Sequence, residues 1–271
     1  MSVSPILVTT MDDDVLLTKL LRQDRAIVIT GAAAISLLGW SYLVYESWAM
    51  QHMDLVSMAM PSTGAWGLMD LLMIFAMWAI MMIAMMVPSV TPMLLIFVSI
   101  NRRRYAQGRA IVSVWVFLAG YVASWTAFSF VATLAQWGLH NLELISPMMV
   151  GTSPVLGSLV LISAGIYQWT PFKYACLRHC RAPLPFLLNY WRDGKVGAFL
   201  MGLRHGAYCL GCCWLLMAVL FAVGVMNLAW IIALSVFVLL EKLIPRGLIM
   251  ARTAGAVLVG FGGWLALSGG A

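Results

Sequence analysis

The residues with the most chemistry to offer are five cysteines and the histidines near them. Cys176 and Cys180 are four apart, as are Cys209 and Cys213, and His205 stands four before Cys209. On a helix that spacing stacks side chains on one face. His205, Cys209, Cys212 and Cys213 then present one nitrogen and up to three sulfurs along a stripe, and His179 beside Cys180 adds a further donor. Soft thiolate donors favour copper(I), zinc or an iron–sulfur cluster over magnesium or calcium. A second set of soft donors holds no cysteine: Met50, His52, Met53, Met58 and Met60, then His140, Met148 and Met149. A thioether cannot form a disulfide, so methionine keeps a soft donor available where thiols would oxidise.

The elements that carry these residues are membrane spans. Of 271 residues 63% are hydrophobic and 10% charged, against roughly 25% charged in a soluble domain. Seven continuous apolar runs, near 26–45, 67–88, 111–135, 155–172, 205–225, 228–241 and 253–269, approach the roughly 20 residues that cross a bilayer. Their continuity excludes a barrel of short alternating strands. The expected fold is an all-α polytopic transmembrane bundle of about seven spans. The short sixth run leaves six spans plus a re-entrant segment as the competitor, with a tight hairpin at Val225, Met226 and Asn227. Residues 1–25 are expected as a cytoplasmic segment and 26–271 as a single transmembrane helical domain. Asp12, Asp13 and Asp14 do not suit the basic start of a signal peptide.

All 16 Lys and Arg residues fall on one side of a seven-span arrangement. The positive-inside rule then puts the N-terminus and the basic loops in the cytoplasm. The net charge of +6 follows from topology and anionic lipid, and needs no nucleic acid. Cysteine is thereby placed toward the reducing side and the Met/His loops toward the oxidising one, a partition suited to copper(I). Met69, Met73, Met77, Met81 and Met85 recur at steps of four in the second run, with Met82 and Met86 beside them. That ladder could carry a soft ion between the two ends, or simply pack helices.

Smaller features refine the expectation, and the longest polar stretch, Pro171 to Leu203, reads as a loop in which Trp191 to Leu203 could lie along the membrane surface. Pro88 and Pro92 predict a kink, with Ser89 and Thr91 near enough to bond the carbonyls it frees. Gly202 and Gly206 permit close helix approach. Asp70 is a candidate to hold a cation or proton, and Glu241 beside Lys242 reads as a local pair. The fifth span starts either near Val196 or at Arg204. The cost of a charge far from the interface favours Arg204.

Several blocks resemble a known family. They are Ala84-Met85-Met86-Val87-Pro88-Ser89, Tyr167-Gln168 with Thr170-Pro171 and Lys173, and Cys176-Leu177 with Cys180. To these are added His205-Gly206 with Cys209, Gly211-Cys212-Cys213-Trp214 with Leu216-Met217, Gly224 to Leu228, and Glu241-Lys242. Together they resemble the bacterial domain-of-unknown-function family of predicted metal-binding integral membrane proteins, over 66–265. The resemblance implies an inner-membrane location and a bound metal. It supplies no reaction.

Three function classes follow. The first is a soft-metal protein, with copper ahead of zinc, in homeostasis, transport or delivery beside a metal donor or acceptor protein. The second is a membrane thiol–disulfide oxidoreductase, through the C-x-x-C of Cys209 and Cys212. The third is a structural or assembly subunit. There is no G-x-x-x-x-G-K-[ST] loop for a nucleotide and no H-E-x-x-H for a zinc protease. Four histidines without haem-like pairing give haem little support, and no catalytic residue set is legible.

Overall fold

A computed structural model describes residues 5–51, 66–142, 144 and 153–268, with side chains described from Arg22 onward apart from Met50 and Gln51. Among the described residues the secondary structure is entirely helical. In chain order the helices are α1 (Pro5–Gln51), α2 (Leu68–Ala106), α3 (Val114–Asn141), α4 (Pro154–Tyr167) and α5 (Pro171–Arg181). They continue as α6 (Pro183–Tyr190), α7 (Gly194–Ala218), α8 (Leu220–Val223), α9 (Leu228–Leu243) and α10 (Gly247–Ser268).

Each of the seven apolar runs is mainly helical, with 155–172 divided between α4 and α5 and 205–225 between α7 and α8. Five stretches are long and apolar enough to cross a membrane: Arg22–Ala49, Leu68–Ala106, Val114–Asn141, Gly194–Val223 and Gly247–Ser268. A sixth arises if α4 and α5, bent by 65° at their junction, are one broken span. The remaining run, α9, rises only about 24 Å, short of the roughly 30 Å hydrocarbon core. The exposed side chains of these helices are themselves apolar, Leu38, Val131, Val257 and Leu267 among them. A soluble amphipathic helix shows the reverse.

Local sequence accounts for the helix starts. Thr170 accepts from Lys173 N at 3.3 Å and Pro171 opens α5, while Ser153 and Pro154 do the same for α4. Proline is tolerated there because the first amides of a helix have no intrahelical acceptor. At the hairpin, Gly224 takes φ +100° and Asn227 caps α9 by accepting from Trp230 N at 3.4 Å. The tight turn expected from sequence is thus formed.

α2 continues as one helix through Pro88 and Pro92, the positions where the sequence predicts a kink. Ser89 and Thr91 donate to Met86 O and Val87 O, not to the Ala84 and Pro88 carbonyls whose amide partners are prolines. The stretch from Pro171 to Leu203, polar enough to read as a loop, instead forms α5, α6 and the first part of α7, and α5 packs on α7. α7 itself begins at Gly194, well before Arg204, whose guanidinium turns aside to lie 3.7 Å over the Tyr190 ring.

The bundle chains α1 to α2, α2 to α3 and α3 to α7, with α10 against α4 and α9 touching α2, α5, α7 and α10. α3 and α7 come closest. A Cβ on Gly202 would stand 1.9 Å from Phe117 O, and one on Gly120 would stand 2.1 Å from Phe199 O. The small-residue spacing at Gly202 and Gly206 therefore serves helix approach, which fixes the face of α7 that carries the cysteines.

Candidate metal centre

The fourfold spacing on α7 puts His205, Cys209 and Cys213 on its inner stripe, and all three are buried together with Cys212. The thiols of Cys212 and Cys213 each donate to Cys209 O at 3.0 Å. This folds both sulfurs back toward Cys209. α5 brings the second pair across. The Cys176 sulfur seats against Gly211, where a Cβ would come within 2.7 Å of it. Cys180 interacts with the thiols of Cys209 and Cys212. All five cysteines are free thiols, and α5 and α7 bring them to neighbouring positions where the two helices pack.

Cys209 Sγ is the centre of a wider polar contact. Tyr121 Oη on α3 lies 3.1 Å from it and Lys242 Nζ on α9 lies 3.0 Å from it. Lys242 also donates to Ser89 Oγ on α2 at 2.9 Å, and Tyr121 donates to Met86 O at 3.3 Å. α2, α3, α7 and α9 thus converge on a single sulfur. Lys242 is 8% exposed, so its ammonium sits among groups that satisfy it and not in water. Buried charge persists only when it is paired or hydrogen-bonded.

A second buried charge group lies alongside. Lys173 Nζ on α5 is 2.7 Å from Glu241 Oε1, with side chains 2% and 0% exposed, and it also donates to Gln168 Oε1. The Glu241 oxygens accept no hydrogen bond of good geometry. The 2.7 Å separation still makes this an ion pair, held by charge more than by bond direction. The expected local pairing of Glu241 with Lys242 is therefore corrected. Neighbours on a helix point about 100° apart, so Glu241 faces α5 while Lys242 faces Cys209.

His205 is 3% exposed, ringed by Phe117, Tyr121 and Phe186, and its Nδ1 has no hydrogen-bond partner. His179, beside Cys180 on α5, has two contacts of its own. It donates Nδ1–H to Ala175 O at 2.9 Å and stacks on Tyr208 at 4.1 Å. It borders a cavity of about 370 Å³ between α5 and α6, lined also by Arg178, Phe186, Asn189 and Tyr190. Among the described residues, no three His, Cys, Asp or Glu side chains stand in a ready ligating arrangement.

At the other end of the bundle most of the predicted soft donors fall outside the described residues. Met50 is helical, but its side chain, with His52, Met53, Met58, Met60, Met148 and Met149, lies outside the described residues. His140 stacks on Trp66 at 4.3 Å. Asp70 accepts from Gly67 N at 2.8 Å and so serves the start of α2. The methionine ladder divides: Met77, Met81 and Met85 are buried, while Met69 and Met73 are exposed. Steps of four drift by about 40° each on a helix, which turns the ladder from the outer face into the bundle.

Sequence reasoning missed Lys242 and Tyr121 as neighbours of Cys209, and Ser89 as the partner of Lys242. Two signals were available: Ser89 and Lys242 stand in the blocks that carry the family resemblance, and an ionisable residue at the end of an apolar run is a default site candidate. No curated protein and no solved structure is significantly similar to the chain. Residues 75–265 match the PpoB2 family, described as a copper chaperone. With most of its length in that match, the chain belongs to the PpoB2 copper chaperone family.

Proposed function

We propose that the chain is an integral protein of the bacterial inner membrane that holds a copper(I) ion on its cysteine cluster and passes it to a protein partner. The N-terminus and the basic loops face the cytoplasm in this reading. The observation that carries it is the packing of α5 on α7, which sets buried Cys176 and half-buried Cys180 beside the buried Cys209, Cys212 and Cys213. Family membership supplies the copper.

The donor set suits the ion. Copper(I) prefers sulfur, and the thiolate is the ligating form of cysteine. Cys209, Cys212 and Cys213 are the proposed principal ligands, with Cys180, Cys176 and the unpartnered Nδ1 of His205 within the same enclosure. Lys242 at 3.0 Å offers the counter-charge that a thiolate at Cys209 requires in a dry interior. Met81 and Met85, buried in the bundle, are proposed as weaker soft donors. His179, stacked on Tyr208, is proposed to guard the approach to the site and not to ligate.

The test is metal content. Protein purified from membranes under reducing conditions, offered copper(I) and desalted, is expected to retain about one equivalent of sulfur-bound copper. The Cys209→Ser/Cys212→Ser/Cys213→Ser variant is expected to lose it. Full retention by that variant, or a titratable disulfide with no copper in wild type, would overturn the reading in favour of thiol–disulfide exchange.

A further inference from the structure

We infer that Lys242 is the residue that makes the cysteine cluster selective for a monovalent over a divalent metal ion. The inference rests on the proposed copper site and adds to it a basis for choosing the metal.

The geometry is specific. Lys242 Nζ lies 3.0 Å from Cys209 Sγ, is held there by Ser89 Oγ at 2.9 Å, and belongs to a buried side chain. A metal ion bonded to that sulfur at roughly 2.3 Å stands within about 5 Å of the ammonium. Lys173 and Arg181 face other partners. Lys173 pairs with Glu241 at 2.7 Å, and Arg181 is occupied by Ile244 O and Pro245 O at 2.6 and 2.8 Å. Lys242 is left as the cation aimed at the sulfur, on the side of the helix away from Glu241.

A fixed positive charge repels zinc(II) twice as strongly as copper(I). Both ions need the same thiolates, so the cost of deprotonating cysteine cancels in the ratio of their affinities. What remains is one unit of charge–charge interaction at about 5 Å. With an effective dielectric of about 20, that amounts to on the order of a hundredfold in the ratio. Ligand softness favours copper(I) already, and the ammonium adds a preference that softness alone does not supply, because zinc also binds thiolate tightly.

The experiment compares copper(I) and zinc(II) affinities of the full-length detergent-solubilised protein, by competition with chelators of known strength. The proteins are wild type, Lys242→Met, Lys242→Arg and Cys209→Ser. Lys242→Met is expected to shift the zinc-to-copper affinity ratio toward zinc by at least about tenfold, while Lys242→Arg, which keeps the charge, leaves the ratio near wild type. A purely structural role for Lys242 would weaken both metals together and leave the ratio alone. If Lys242→Met fails to purify as a single species, Lys242→Gln is read by the same ratio. A ratio that moves less than tenfold while wild type binds copper(I) through Cys209 overturns the role of Lys242 and leaves the copper site standing. Wild type that binds no copper(I) removes both.

Discussion

Replacing Glu241 by glutamine tests whether a buried ion pair docks α5, and with it two of the thiols, onto the bundle. Lys173 and Glu241 meet at 2.7 Å with side chains 2% and 0% exposed, so solvent does not screen them. Their Coulomb attraction at that separation is about 6 kcal/mol for an effective dielectric of about 20. Removing each ion from water costs several kcal/mol, so the intact pair roughly breaks even and a lone survivor does not. Glu241→Gln leaves the Lys173 ammonium with Gln168 Oε1 as its remaining partner, and is expected to cost about 3–5 kcal/mol. Lys173→Met strands the carboxylate at a similar cost. The double replacement Lys173→Met/Glu241→Leu removes both charges and is expected to lie near wild type or above it, by up to about 4 kcal/mol. Equilibrium unfolding in detergent measures the cycle, and alkylation of Cys176 and Cys180 reports whether α5 stays seated. The single variants should expose those thiols and the double variant should protect them again. Single costs below about 1 kcal/mol, or a double variant as weak as the two singles combined, would refute the reasoning.

Three further outcomes are expected. Gly211→Ala places a Cβ 2.7 Å from Cys176 Sγ where ordinary contact begins at 3.4 Å, so the sulfur must retreat by roughly 0.7 Å; copper affinity should fall while the protein still purifies, and unchanged affinity would show that Cys176 stands outside the site. Gly202→Val meets the Phe117 carbonyl at 1.9 Å, whereas Gly263 has open space; the first variant should fail to purify as a single species and Gly263→Val should behave as wild type. At the junction of α2 and α7, the Trp191 indole N–H and the Arg104 guanidinium hold the exposed Asp193 carboxyl below the usual carboxylate range. A depressed folded value contributes stability above the unfolded value of about 3.9 and loses it as pH falls through the folded one. The difference in melting temperature between wild type and Asp193→Asn should therefore be largest near neutral pH and shrink in acid, and a constant difference would contradict the contact.

What sequence made legible was whatever a single helix decides. The stripe of His205, Cys209 and Cys213 is a matter of spacing along α7, and the Gly202–Gly206 approach, the Asn227 hairpin and the apolar runs are equally local. What it hid is contributed across helices. Nothing in the run before Lys242 says that its ammonium crosses to Cys209, because that meeting depends on how α9 packs against α2 and α7. The Glu241–Lys242 pairing failed because neighbours in sequence diverge on a helix. The methionine ladder divides between exposed and buried positions because steps of four do not close on a turn. Polarity hid α5 as a loop, although Thr170-Pro171 is a helix start that could have been read.

The most direct measurement on the copper site is X-ray absorption at the copper edge of protein loaded with copper(I) under reducing conditions. Expected is a first shell of sulfur that disappears when Cys209, Cys212 and Cys213 are replaced by serine and survives the Met81→Leu/Met85→Leu replacement. A shell of oxygen and nitrogen alone, or a sulfur shell that persists without those cysteines and vanishes with the methionines, would contradict the placement of copper on the thiols of α5 and α7.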